Sequence, residues 1–157
     1  MTHFQVLIAE VHMPISYGYF GDPPILCSHW TGSIESNDVY DFQTRTLKDR
    51  IVQYTACYFC DLSAVTSIDV DTKILPSTLA RWEARRADPD WPVLKVFLVP
   101  DPQFLEFPLK FQRMVAKQTR EEVRIVSEQA AALALIGRPE TTLVEFFENL
   151  GPPLPRD

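Results

Sequence analysis

Short apolar runs alternate along this chain with stretches whose apolar residues recur every three or four positions. Such alternation marks strands followed by helices. Phe4 to Val11 and Ile25 to Trp30 are apolar and rich in β-formers. They predict two strands, separated by a loop from Met13 to Asp22 that is rich in aromatics and glycine. Ser36 reads as an N-cap, and Val39, Phe42, Leu47, Ile51 and Tyr54 fall roughly on one face of the helix behind it. Thr55 to Leu62 is apolar on both faces, as a central parallel strand should be. After a loop, Ser63 to Asp71, a helix is predicted over Thr72 to Ala87, with Leu75, Leu79 and Trp82 inward and Pro76 tolerated in its first turn. Val93 to Val99 is the clearest buried strand. A helix from Pro102 to Gln118 carries Phe104, Phe107, Phe111, Met114 and Val115 on its apolar side, although Pro108 disturbs its first turns. Glu122 to Val126 is a short strand, Ser127 caps the next helix, Gly137 stops it, and a last helix spans Glu140 to Leu150.

Strand and helix alternating after an opening hairpin predict an α/β fold with a mostly parallel sheet. The first two strands are expected to pair antiparallel. At 157 residues the chain has the length of one domain, placed over 1–150, with a flexible proline-rich tail over 151–157. A net charge of −6 argues against a general nucleic-acid or acidic-membrane binder, which needs Lys and Arg in excess. The N-terminus has no basic region before its apolar run, and no run approaches the roughly 18 residues that span a bilayer. Three cysteines, an odd number, read as reduced thiols. A cytoplasmic protein is the expectation.

No pattern of catalytic spacing stands out, and neither a cofactor nor a metal is expected. Cys57 and Cys60 form a C-x-x-C, but within a strand residues i and i+3 face opposite ways. Cys27 and His29 share a face of the second strand without matching a standard zinc spacing, and His3 and His12 read as surface or loop residues. Lys110, Arg113, Lys117 and Arg120 recur at helical spacing. They form either a solvated outer face or a docking stripe for an acidic or phosphorylated partner. Tyr17, Tyr19 and Phe20 either pack over the sheet or join two copies of the chain. The same two readings apply to Leu143, Phe146, Phe147 and Leu150 in the last helix.

The stretch Cys60-Asp61-Leu62-Ser63-Ala64-Val65-Thr66-Ser67-Ile68-Asp69 resembles the D-L-S-x-V-x-x-I-D segment of STAS domains, the SpoIIAA-like family of sulphate-transporter and anti-sigma-antagonist modules. The strand ending at Pro100, the strand Glu122 to Val126 with the helix start that follows it, and the Leu109 to Met114 segment are similar to that family in the same order. The resemblance covers about Pro24 to Gly137. It implies a SpoIIAA-like mixed, mostly parallel sheet of about five strands with an antiparallel N-terminal hairpin and helices packed on it, to which the pattern of the residues adds the C-terminal tail helix. It also implies function by docking. In that family a partner kinase phosphorylates a Ser or Thr at the start of the second helix, after a loop Asp. Here the loop is Asp69-Val70-Asp71-Thr72, so Val70 occupies the acceptor slot and Thr72 stands where the family has glycine.

The sequence therefore predicts a non-enzymatic interaction module that lacks the usual phosphoacceptor serine. Its switch or docking loop is placed at Ser67, Asp69, Val70, Asp71 and Thr72. The expected partner is a protein of kinase-like or sensor type, or a second copy. Neither nucleic acid nor membrane insertion is expected. The alternative is a carrier for a small apolar, lipid-like ligand, for which ten phenylalanines leave room. An internal cavity of a few hundred Å³ would favour that alternative.

Overall fold

The structure is a computed structural model, and it describes residues 14–148. The strand expected over Phe4 to Val11 and the proline-rich tail lie outside the described residues. Among the described residues there are five strands, β1 (Ile15–Phe20), β2 (Ile25–Glu35), β3 (Cys57–Asp69), β4 (Leu94–Leu98) and β5 (Glu122–Val126). They lie in the sheet in sequence order. β1 pairs antiparallel with β2, and the remaining neighbours are parallel. This is the α/β arrangement that the resemblance implies.

The opening hairpin is built from a different first strand than expected. The segment read as an aromatic loop is β1, the outermost strand of the sheet among the described residues, with a period of two. Ile15, Tyr17 and Tyr19 face one side of the sheet, and Ser16, Gly18 and Phe20 face the other. Its turn into β2 uses Gly21 at φ 80, in the left-handed region that glycine adopts without strain.

Three helices cover one face: α1 (Ser36–Leu47), α2 (Leu75–Arg85) and α3 (Glu106–Gln118). They bury Val39, Phe42, Leu75, Leu79, Phe107, Phe111 and Val115 against Leu26, Tyr58 and Phe97 of the sheet. Two short helices, α4 (Gln129–Leu135) and α5 (Leu143–Glu148), cover the other face over Cys27, Phe59, Val96 and Leu98. Pro76 lies in the first turn of α2, as expected. Pro108 is accommodated because α3 begins only at Glu106, after a 3-10 turn at Pro102–Phe104. Gly137, at φ 82, ends α4. The expected cap at Ser127 is not made, because α4 starts two residues later, with Glu128 at its N-cap position and no side-chain cap. Ser36 does not cap α1 either. Glu35 is the N-cap, and it forms a reciprocal pair with Asp38, whose carboxylate accepts the Glu35 N–H at 2.8 Å.

β2 and β3 extend well beyond their neighbours. They are 11 and 13 residues long, whereas β4 and β5 have 5 each. The difference of two between β2 and β3 appears as two register shifts, between His29 and Thr31 and between Gly32 and Ser33. β3 contributes the extra residue each time, so the stretch read as a loop from Ser63 is an irregular strand. Small polar residues are exposed there because each bulge rotates the backbone and interrupts the alternation. Gly32 accommodates the twist at φ 69.

The two faces also place the cysteines. Cys60 packs with the three-helix face and Cys57 with the other, as expected for residues i and i+3 of a strand. All three thiols are free, and burial pushes those of Cys57 and Cys60 up to about 11. The aromatic residues of β1 pack within the chain. The Tyr17 and Tyr19 hydroxyls donate to Asp49 Oδ2 at 2.9 and 3.0 Å. Phe20 lies against Phe146, with the Arg138 guanidinium over its ring. In the last helix, Leu143 and Phe146 are buried.

One strand position departs from the apolar pattern. Lys95 of β4 is 3% exposed, with its ammonium over the rings of Tyr58, Trp82 and Phe111 and 2.9 Å from Glu121 Oε1. A buried ammonium needs such a counter-charge. Burial would raise the Glu121 carboxyl, but Lys95 holds it below its ordinary value. Glu83 of α2 is next to that retained negative charge. Its own partial burial, and then Glu121, push it up to about 7.

A Cβ at position 32 would meet no atom within 4 Å, so Gly32→Ala meets only the backbone penalty of its conformation. It is expected to lower unfolding stability by about 1–2 kcal/mol, read from urea melts with an unchanged slope. Glu83 titrates near 4.5 in an unfolded chain and near 7 in the fold, so folding takes up a proton between those values. Its contribution is complete below the lower value and lost as pH rises through the upper one. Glu83→Gln should flatten the fall in stability across that window, measured by melts at stepped pH.

Candidate functional site

The expected switch loop begins where the β2–β3 ribbon ends. Asp69 closes β3 opposite Glu35 of β2, so two exposed carboxylates share the tip. Val70 turns inward and packs at the edge of the three-helix core. Asp71 is pinned twice. Its N–H donates to Ser36 Oγ at 2.8 Å, and its carboxylate accepts the Lys73 N–H at 3.0 Å. That second bond caps the 3-10 turn Thr72–Ile74, which leads into α2. Ser36, read from sequence as a helix cap, thus ties the turn to the start of α1. Ser67 sits away from the turn on the exposed face of the ribbon, 2.7 Å from Ser33 Oγ.

The basic stripe and this turn meet in space. Thr72 and Lys110 line both of two adjoining grooves. One, of about 590 Å³, continues along Pro76, Arg113, Met114 and Lys117. The other, of about 230 Å³, runs past Asp69, Val70 and Phe104. Lys110 is ion-paired with Glu106 at 2.9 Å, one helical turn earlier on the solvent face. Arg113 and Lys117 make no ion pair with the described residues. The end of the molecule around Thr72 therefore carries an acidic lip, Asp69 and Asp71, beside a basic strip, Lys110, Arg113 and Lys117. Arg120 does not join it. α3 ends at Gln118, and Arg120 lines a separate cleft with Glu83 and Arg86.

Sequence reading missed a second constellation on the other face of the sheet. His29 Nδ1 and Asp61 Oδ2 are 2.8 Å apart, and Asp61 is 2% exposed. The two residues are 32 positions apart and become neighbours through the β2–β3 register, which places His29 directly beside Asp61. The only local signal was His29 on the same strand face as Cys27.

The interior of the three-helix side holds a cavity of about 50 Å³, lined by Trp30, Phe42, Tyr58, Trp82, Phe97 and Phe107 among others. A cavity of about 150 Å³ is what takes up benzene. Among the described residues no group of three or more metal-ligating side chains comes together, and no helix is long and apolar enough to cross a membrane.

No protein-family model matches the chain, and no curated protein is significantly similar to it. Among solved structures it is similar to an uncharacterised protein of the DUF3478 family from Shewanella loihica PV-4, described as having a SpoIIAA-like fold. The two are 13% identical over 79% of this chain and 94% of the other, with a TM-score of 0.48.

Proposed function

We propose that the chain is a non-enzymatic docking module of STAS-like type whose partner-facing end is the surface around Thr72. One observation carries this reading. Two charged features some 40 residues apart in sequence, the acidic turn and the basic strip, meet at one end of the fold beside two grooves. Opposite charges arranged side by side set the register of a protein partner and speed its approach more than they add affinity. The turn is held by Ser36 and by Asp71 itself, so the surface is ordered before a partner arrives. Val70 contributes an apolar anchor where the resemblance leads one to expect an acceptor hydroxyl, and this favours docking that does not wait for phosphorylation at that position. The apolar-carrier alternative draws less support, because the aromatic side chains fill the three-helix core and leave about 50 Å³.

A photo-crosslinking residue in place of Arg113, introduced in the native cell, tests the reading. The expected result is one defined protein adduct. Its yield should fall about tenfold when Asp69 and Asp71 are both changed to Asn, and it should weaken with added salt. The same crosslinker in place of Arg124, on the exposed part of β5, should not give that adduct. Equal adducts from both positions, or an adduct indifferent to the acidic pair in a variant of unchanged thermal stability, would sink the proposal.

A further inference from the structure

The pair missed by sequence reading forms the floor of an open cleft of about 600 Å³ on the face opposite the three large helices. Its chemistry starts from a bulge. At the first register shift of β3 the Ser63 N–H donates to Asp61 Oδ1 at 3.0 Å, leaving Oδ2 for the His29 ring at 2.8 Å. Burial would raise the Asp61 carboxyl, but the bonds from His29 and Ser63 outweigh it and hold the group below its ordinary value. Asp61 is therefore a carboxylate that only accepts, and the hydrogen it accepts from the ring sits on Nδ1. In the neutral imidazole Nε2 then carries a lone pair, and it has no hydrogen-bond partner among the described residues. The His29 side chain is 35% exposed, so one part of the ring is fixed by a buried acid while another part remains open.

The surroundings restrict what Nε2 would meet. Ser16 and Gly18 of β1 continue the floor, with Gly18 presenting no side chain. The wall is apolar, from Leu143, Val144 and Phe147 of α5, and the Phe147 ring lies 5.3 Å from the imidazole at a tilt of 56°. Among the described residues no Lys or Arg lines the cleft, whereas Asp61 and Glu148 do. An anion would face two carboxylates with no Lys or Arg among the described residues to answer it. A ring of purely hydrocarbon character would leave Nε2 without a partner, which costs binding. The volume lies within the range of small-molecule pockets, about 300–1,000 Å³.

We propose that this cleft binds a small neutral aromatic molecule through one weakly acidic hydroxyl or imide N–H, donated to His29 Nε2, with its ring against Phe147. The pairing with Asp61 fixes the tautomer that accepts, and α5 supplies the apolar wall. A purely structural His–Asp pair, which only pins the bulge, would show no such preference. This inference does not rest on the docking surface, which lies among residues of α2, α3 and the ribbon tip.

The test uses 4-methylphenol as the probe on the full chain labelled with ¹⁵N-histidine, with toluene, benzoate and benzylamine as comparisons. Among three histidines, the His29 resonances are identified as those missing in His29→Gln. The free protein should show the Nδ1–H tautomer at His29. Saturating 4-methylphenol should move the His29 Nε2 resonance, and the phenol should bind about tenfold tighter than toluene or benzoate. His29→Gln should remove that margin. If that variant does not fold, the ¹⁵N shift and the ranking of the four probes on the unmodified chain decide the matter alone. A silent Nε2 resonance at saturation, or equal affinity for all four probes, would overturn the proposal.

Discussion

The parallel pairing of β2 with β3 is the constraint on which the rest of this structure depends. These two strands lie in the interior of the sheet and project beyond β4 and β5, which are five residues long each. A parallel pair cannot close on itself with a tight turn, so the chain must leave and return through α1 and its following 3-10 turn. That crossover sets α1 on one face, and the helices after β3 and β4 join it there. The projecting ribbon is stabilised from one side. Ile34 and Val65 are buried in the three-helix cluster, while Ser33, Thr66 and Ser67 remain exposed. One strand pair thus supplies the core, the acidic tip and, through its register, the His29–Asp61 contact.

What the sequence revealed follows from which forces act locally. β4 is legible as a short, almost unbroken apolar run, α2 and α3 because their apolar residues recur at helical spacing, and the basic strip because helical spacing alone places Lys110, Arg113 and Lys117 together. From sequence β1 reads as a loop. Its alternation of Ile15, Tyr17 and Tyr19 with Ser16 and Gly18 is brief, and glycine with aromatics also suits a loop. The second half of β3 was lost for a different reason. Each bulge shifts the period, so Ser63 to Ser67 show neither strand nor helix pattern even though they continue the ladder. The His29–Asp61 pair and the meeting of Thr72 with the basic strip were invisible in principle, because both depend on where separate elements lie in space.

The two faces of the sheet differ in kind. Three helices of 11 to 13 residues cover one face and fill it almost completely, around a buried ammonium whose charge is answered by Glu121. Helices of 7 and 6 residues cover the other, and they do not reach across the floor at Ser16, His29 and Ser63. A short helix buries little area, roughly 25 cal/mol for each Å² of apolar surface removed from water. α5 is held largely by Leu143 and by Phe146, the latter wedged between Phe20 and Phe59. Among the described residues, the face covered by the two short helices is the one with an open cleft, and the densely packed face is the one whose rim carries charge.

This division explains why Val70 suits the turn. A hydroxyl meant for modification in that position would have to remain accessible, and the backbone around it would have to yield. Instead the turn is drawn inward by an apolar side chain, capped by Asp71 and tied through its amide to Ser36 at the start of α1. Each contact removes freedom that an enzyme acting on the loop would need. The same contacts leave Asp69 and Thr72 facing outward beside Lys110 at little further cost in entropy. An ordered tip with both signs of charge can recognise a partner without being chemically switched. Under the proposed docking role, the absence of a hydroxyl at Val70 and the order of the turn belong together, because the same apolar side chain packs the turn against the three-helix core.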